Sequence, residues 1–201
     1  MADDFLRAFI SFFAIIGPTS NILIFHVFSR RLAPRERVAM ALLSVGVAFA
    51  MIVAFSLGGE TVLDYLNISN ESFQVAAGAL LVLPALRLVE KGEPMEVTEE
   101  ENRLGPFQLA VVPLATPLLA GPGALAAAIS FSSDIGSGTT LLAAAVVLGL
   151  AFLGFSAAGW VFRIVGPSIL RLLSRIVGII LAAVAADFIL EGLSAIFNGN
   201  L

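Results

Sequence analysis

The chain has 201 residues, of which 59% are hydrophobic and only 13% are charged, with a mean hydropathy of +1.00. A soluble domain is about one quarter charged, so this composition predicts an integral membrane protein. The absence of cysteine excludes disulfides, thiol chemistry and cysteine metal sites, and the small net charge of −4 gives no support to nucleic-acid binding.

Six apolar segments follow one another along the chain, each close to the length that a membrane-spanning helix needs. The first segment comes after Asp3 and Asp4, an acidic start that favours a retained span over a cleaved signal peptide. The predicted fold class is therefore an all-α membrane protein with six transmembrane helices. The segments cover approximately residues 5–28, 38–58, 72–89, 107–132, 139–162 and 172–197.

Glycine and proline interrupt two of these segments near their midpoints. Gly17 and Pro18 lie inside the first segment, and Gly121, Pro122 and Gly123 lie inside the fourth. Proline removes a backbone donor and disfavours helix at the preceding residue. Freed backbone groups at membrane depth are tolerated only where protein or a water-filled cavity satisfies them. We therefore predict that the first and fourth helices are broken near the bilayer midplane and that their ends line a binding site.

Basic residues are concentrated in alternate loops. Only Arg7 lies on the opposite side from the other ten. The positive-inside rule then predicts that both termini are outside the cell. The ten residues are Arg30, Arg31, Arg35, Arg37, Arg87, Lys91, Arg103, Arg163, Arg171 and Arg175.

The two halves of the chain resemble each other across an acidic linker. The Gly-Pro pair at Pro18 matches the pair at Pro122, and Gly78 matches Gly178 at a nearly equal spacing. Each half has three spans, an odd number, so the second half must enter the membrane inverted. We predict a first three-helix repeat at 1–90, an acidic cytoplasmic linker at 91–106 and a second repeat at 107–201. The linker is interpreted as a solvated tether, with a docking site for a partner or cation as the alternative.

Both broken segments resemble the signature motifs of the MarC family of membrane proteins. The first is Phe-Phe-Ala-Ile-Ile-Gly-Pro-Thr-Ser-Asn at 12–21, and the second is Val-Pro-Leu-Ala-Thr-Pro-Leu-Leu-Ala-Gly-Pro-Gly-Ala at 112–124. Members usually carry Asn-Pro and then Gly-Asn in the first motif, where this chain has Gly17-Pro18 and Ser20-Asn21. The resemblance covers essentially the whole chain. It implies a bacterial cytoplasmic (inner) membrane protein and a transporter of glycine- or alanine-like amino acids, apparently coupled to protons.

The two breaks supply the candidate substrate-binding residues. A helix that begins after proline presents unpaired N–H groups and partial positive charge, which can hold a carboxylate. Glycines let the ligand approach the backbone closely, and hydroxyl and amide groups can bond its ammonium or carboxylate. Capping of the second half-helix is the alternative role for the polar side chains. The candidates are Gly17, Pro18, Thr19, Ser20, Asn21, Thr116, Gly121, Pro122 and Gly123, and Thr116-Pro117 could widen the second break.

Two ionisable residues lie inside predicted spans. Asp187 is the only carboxylate well inside one, which makes it the candidate for proton coupling. It shares a helix face with Glu191, so lining an outer vestibule is its alternative role. His26 is the only histidine and is interpreted as a packed or interfacial residue, with a proton relay as the alternative.

The leading hypothesis is a secondary transporter of a small neutral amino acid, working by alternating access in the lipid bilayer. No enzyme, metal site, cofactor or nucleic-acid partner is predicted, and the oligomeric state is left open. An intramembrane hydrolase would need an activated serine, but the chain has one histidine and no Gly-x-Ser-x-Gly or His-Glu-x-x-His motif. An ion or metal permease would need more oxygen or histidine ligands. A membrane factor that transports nothing is the last alternative.

Overall fold

A computed structural model describes residues 2–96 and 104–198, and every regular element within these ranges is helical. Part of the predicted linker, residues 97–103, lies outside the described residues. In chain order the elements are α1 (Ala2–Ile16), α2 (Pro18–Ser29), α3 (Pro34–Tyr65), α4 (Asn70–Lys91), α5 (Pro106–Leu109), a π-helical segment (Ala110–Leu119), α6 (Pro122–Ile135), α7 (Ser137–Ser156) and α8 (Ala158–Asn198).

Five helical stretches of the described chain are long and apolar enough to cross a membrane. One of them is α1 and α2 taken together, which cover 28 residues from Ala2 to Ser29. A sixth would be Pro106–Leu119 together with Pro122–Ile135, a pair bent by 55°. The all-helical, multi-pass class predicted from composition is therefore confirmed.

The first predicted break is present between α1 and α2. Gly17 has a left-handed backbone (φ 57°, ψ 56°), a conformation that glycine adopts without penalty, and Pro18 occupies the first turn of α2. The Gly17 amide still donates to the Phe13 carbonyl oxygen, and the Asn21 amide donates to the Gly17 carbonyl oxygen, both at 3.0 Å. The chain therefore changes helix at one residue without losing these two bonds.

The second break is wider than the first. Val112 and Thr116 have extended backbones (φ −132° and −130°) inside the π-helical segment. Each precedes a proline, and a residue before proline is pushed out of the helical region. The widening expected at Thr116-Pro117 is confirmed, and it is repeated one turn earlier at Val112. Helix resumes at Pro122 with Gly121 as its extended N-cap.

The most extensive helix pair among the described residues is α4 with α8, which run antiparallel from Glu71 opposite Gly192 to Gly92 opposite Arg171. Three glycines allow the close approach. A Cβ atom on Gly78 would lie 2.8 Å from the Ala185 carbonyl oxygen, and one on Gly178 would lie 2.7 Å from Leu88 Cβ. Near the other end, a Cβ atom on Gly192 would lie 2.8 Å from the Glu71 carbonyl oxygen.

The two helical segments on either side of each break pack mainly against helices from the opposite half of the chain. The helices α1 and α2 contact α7 and α8, whereas α6 and the π-helical segment contact α3 and α4. In the first interface, Phe25 stacks on Phe155 with ring centroids 4.4 Å apart. In the second, the hydroxyls of Ser56 and Ser132 are 2.6 Å apart, and Ser133 donates to Glu60. The core therefore forms between the halves rather than inside each one.

The predicted fifth segment, 139–162, is wrong in its end point. The helix α7 ends at Ser156, and residues after it belong to α8, whose helix is interrupted again at Gly166 (φ 76°, ψ 160°) just before Pro167. Apolar character continues through this turn, so hydropathy alone did not mark it. The helix α3 is also longer than its predicted segment 38–58, because Pro34 suits a first helical turn and helix continues to Tyr65.

Ion pairs mark the two ends of the part of α8 that packs beside α4. Arg7 bonds Glu191 at 2.9 Å, whereas Arg171 bonds Glu93 at 3.1 Å. Twenty residues of helix separate Glu191 from Arg171, a rise of about 30 Å that matches the hydrocarbon core of a bilayer.

Candidate functional site

A cavity of about 370 Å³ lies between the two breaks. Its volume is within the range of small-molecule sites, and its walls are mostly apolar. Six of the nine predicted binding residues line it: Gly17, Ser20, Asn21, Gly121, Pro122 and Gly123. The fold thus brings together two motifs that are about a hundred positions apart in the chain.

Asn21 joins the two breaks. Its side-chain nitrogen donates to the Ile16 carbonyl oxygen at 2.7 Å and lies 3.5 Å from the Leu118 carbonyl oxygen. Ile16 is the last residue of α1, so the amide caps a carbonyl group that helix geometry leaves without a partner. Because both neighbours are carbonyl acceptors, the nitrogen must face them. The side-chain oxygen is left on the other side, buried and without a partner among the described residues.

Ser20 adds a second unpaired polar atom to the cavity wall. Ser20 is 1% exposed and Asn21 is 2% exposed, yet neither Ser20 Oγ nor Asn21 Oδ1 has a hydrogen-bond partner in the described chain. A buried polar atom without a partner costs about 1–3 kcal/mol. The helix α2 has no side-chain cap, so the alternative capping role does not account for these atoms. These two atoms are therefore the candidates on the cavity wall for bonding a ligand.

Backbone amides at the two breaks form a matching set. Helix geometry leaves the first N–H groups of a helix without an intrahelical acceptor. In α2 these are the amides of Thr19 and Ser20, and in α6 they are the amides of Gly123 and Ala124, since Pro18 and Pro122 have none. Both helix starts border the cavity, so partial positive charge faces it from two directions.

Gly123 sets the width of the cavity together with Leu81 of α4. A Cβ atom on Gly123 would lie 2.2 Å from Leu81 Cδ2, which is much closer than two non-bonded carbon atoms approach. Leu81 is itself 5% exposed and has little freedom to retreat. Glycine is therefore required here for packing, which is a different reason from the left-handed backbone that requires it at position 17.

The other predicted residues do not line the cavity. Pro18 is buried at the start of α2, and the hydroxyl of Thr19 is buried without a partner. Thr116 Oγ1 donates to Met51 Sδ at 3.1 Å. Asp187 is exposed on α8, one turn before the Glu191 that accepts from Arg7 and Gln74. His26 stacks on Phe162 with ring centroids 4.1 Å apart.

Sequence reasoning missed the contribution of α4 and of the turn that follows it. One face of α4 lines the cavity at Leu81, Pro84 and Arg87, and Pro94 and Met95 close over it. Arg87 was interpreted only as a topology signal. It is the one charged residue among the lining residues, none of which is acidic. The proline at position 84 inside an otherwise regular helix was the available signal.

Among the described residues, no group of three or more His, Asp or Glu side chains could hold a metal ion.

Comparison with known proteins gives the same family that the two motifs resemble. Residues 2–197 match the family described as MarC family integral membrane protein. The chain is 34% identical over 195 residues to the UPF0056 membrane protein MJ1677 of Methanocaldococcus jannaschii, covering 94% of this chain and 95% of that one.

Bacterial relatives show the same coverage. The UPF0056 membrane protein of Aquifex aeolicus is 31% identical over 199 residues, covering 94% of this chain and 92% of its own. The UPF0056 membrane protein YhcE of Escherichia coli is 30% identical over 205 residues, covering 98% and 95%. No solved structure matches the chain. These names specify membrane proteins and state no substrate, and the match along nearly the full chain shows that this multi-pass protein belongs to the MarC family.

Proposed function

We propose that this protein is a secondary transporter of small neutral amino acids of the size of glycine or alanine. The observation that carries the proposal is the shared cavity, into which two broken helices from opposite halves bring unpaired polar groups. Broken helices that face each other across such a site are typical of transporters.

The polarity of the cavity suits a zwitterion. The helix starts at Ser20 and Gly123 offer amide N–H groups to a carboxylate, and Arg87 adds a positive charge on the same wall as Leu81. The C-terminal end of α1 carries partial negative charge, and Asn21 Oδ1 and Ser20 Oγ are free to accept from an ammonium group. A solute that carries a carboxylate and an ammonium group close together can therefore pair with the N–H donors and with the acceptor oxygens at the same time.

The packing at Leu81 and Gly123 supports a small side chain on the solute. A Cβ atom on Gly123 would meet Leu81, so the cavity wall at the start of α6 carries no side chain and the solute can approach the α6 backbone closely. Glycine and alanine have the smallest side chains and therefore allow the closest approach to this backbone.

We also propose that six spans form two inverted repeats that rock against each other, with the basic loops in the cytoplasm and both termini outside. Reciprocal contacts support this arrangement: Gly78 packs at Ala185, and Gly178 packs at Leu88, as expected if equivalent helices α4 and α8 are related by a two-fold axis. Such an axis in the membrane plane makes equivalent helices antiparallel. Proton coupling through Asp187 is part of the proposal.

Uptake into proteoliposomes tests the function. Purified protein is reconstituted, and uptake of labelled glycine and alanine is compared with uptake of leucine and of the deaminated acid propionate. We expect glycine and alanine to enter faster than leucine, and the Ser20→Ala variant to slow them. Rates equal to those of empty liposomes for all solutes, in both gradient directions and with an imposed pH gradient, would refute the proposal.

A further inference from the structure

A second group of unpaired buried polar atoms lies away from the cavity, where α2 ends and α3 and α8 begin. Ser29, the last residue of α2, is fully buried, and its hydroxyl has no partner in the described chain. Arg37 of α3 donates through Nη2 to the Ser29 carbonyl oxygen at 3.3 Å, while its buried Nε has no partner. A buried O–H donor and a buried guanidinium N–H donor therefore both lack an acceptor at this turn of the described chain.

The helix α8 makes room for this guanidinium group. A Cβ atom on Gly159 would lie 2.9 Å from Arg37 Nη1, so only glycine leaves the side chain its position. One turn later, Phe162 stacks on His26, which holds α8 against α2 beside Arg37. The arginine is thus fixed in a recess between three helices rather than extended into solvent.

No carboxylate of the described residues pairs with this cation. Glu36, the acidic residue nearest in sequence, accepts from the Ala33 amide at 2.9 Å, and Arg37 forms no ion pair within the described ranges. A partly buried guanidinium without a counter-charge is unfavourable, and its planar donors fit phosphate oxygens well. Exposed Arg30, Arg31 and Arg35 add positive charge around the same turn.

The position of the recess indicates which phosphate would reach it. The recess lies at the end of the apolar α2, and the neighbouring Trp160 is 65% exposed, as is usual for tryptophan at the level of lipid headgroups. Basic recesses between transmembrane helices are a recognised form of headgroup site. We propose that Arg37 and Ser29 bind the phosphate of an anionic phospholipid at this turn, a site separate from the solute cavity.

Lipid retention measured by native mass spectrometry tests this site. The full chain, purified in detergent, is titrated with phosphatidylglycerol or with phosphatidylcholine of the same acyl chains. We expect one phosphatidylglycerol to bind in preference, and Arg37→Gln to weaken that binding roughly tenfold, as expected for the loss of a charge-assisted hydrogen bond. Arg35→Gln, which removes an exposed charge from the same turn, should retain most of the affinity.

Ser29→Ala separates binding from folding. Removing a buried hydroxyl that has no protein partner should leave the melting temperature of the lipid-free protein unchanged or raised. The same variant should lose phosphatidylglycerol affinity. Equal weakening by Arg35→Gln and Arg37→Gln, unchanged binding in Ser29→Ala, or equal occupancy by the two lipids would overturn the proposal. Displacement of the lipid by inorganic phosphate alone would overturn the lipid assignment in favour of a free-anion site.

Discussion

Replacing Asn21 is the sharpest probe of the site, because its side chain joins the two breaks with one end and faces the cavity with the other. Asn21→Ala removes the 2.7 Å bond to the Ile16 carbonyl oxygen and leaves that oxygen buried without a donor. This loss should lower the free energy of unfolding by about 1–3 kcal/mol. The 3.5 Å contact with Leu118 is at the limit of hydrogen bonding and adds little.

Asn21→Asp keeps the shape of the side chain but replaces its donor nitrogen with an acceptor oxygen. A carboxylate oxygen would take the place of the nitrogen that now faces two carbonyl oxygens. An unpaired buried charge costs about 3–5 kcal/mol, so the aspartate variant should be less stable than the alanine variant despite its closer shape. Ser20→Ala is the matched control, because Ser20 Oγ has no protein partner to lose. Removing this unpaired buried hydroxyl should leave the stability unchanged or raise it, while weakening solute binding.

Denaturant unfolding in detergent gives the stabilities, and isothermal titration with glycine gives the binding. The expected order of stability is wild type and Ser20→Ala, then Asn21→Ala, then Asn21→Asp. An aspartate variant as stable as wild type would refute the assignment of the amide nitrogen as the link between the breaks. Wild-type glycine affinity in Ser20→Ala would refute the role of its hydroxyl in binding.

Three further predictions follow from the glycines and from Asp187. Gly17→Ala places a side chain on a left-handed backbone where its Cβ would make only ordinary van der Waals contacts, the nearest with Ser20 Oγ at 3.7 Å, so it should cost about 1–2 kcal/mol of unfolding free energy without a steric clash, as measured by denaturant titration. Gly123→Ala should instead clash with Leu81, destabilise the protein and slow glycine uptake; adding Leu81→Ala should recover part of both losses, and purely additive effects would contradict the contact. Asp187→Asn should flatten the dependence of uptake on external pH, while an unchanged profile would remove this carboxylate from the coupling mechanism.

Local features of the site followed from the sequence because their causes are local. Gly17-Pro18 and Gly121-Pro122 interrupt helices through the geometry of one or two residues, wherever those helices lie. The same is true of the extended backbone at Thr116, which the following proline imposes. The predicted roles of these residues in binding, and the inverted orientation of the halves, stay predictions.

Features that depend on contacts between distant helices could not be predicted from the sequence. Leu81, Arg87 and Met95 line the cavity because α4 packs against α6 and α8, and nothing in their own segment specifies that partner. The end of α7 at Ser156 was missed because the half-buried turn that follows it lies in a stretch as apolar as a span. Asp187 was selected by its depth in a segment, yet the packing of α8 leaves it exposed.

By itself, the sequence determined that this protein is a helical membrane protein with two broken helices, because composition and proline chemistry act without reference to distant residues. Only the tertiary structure decided that the breaks meet at one cavity, that Asn21 joins them, and that Ser20 Oγ and Asn21 Oδ1 are left unpaired. Hydrogen-bond partners and cavity walls depend on which helices pack together, and this packing depends on interactions along the whole chain.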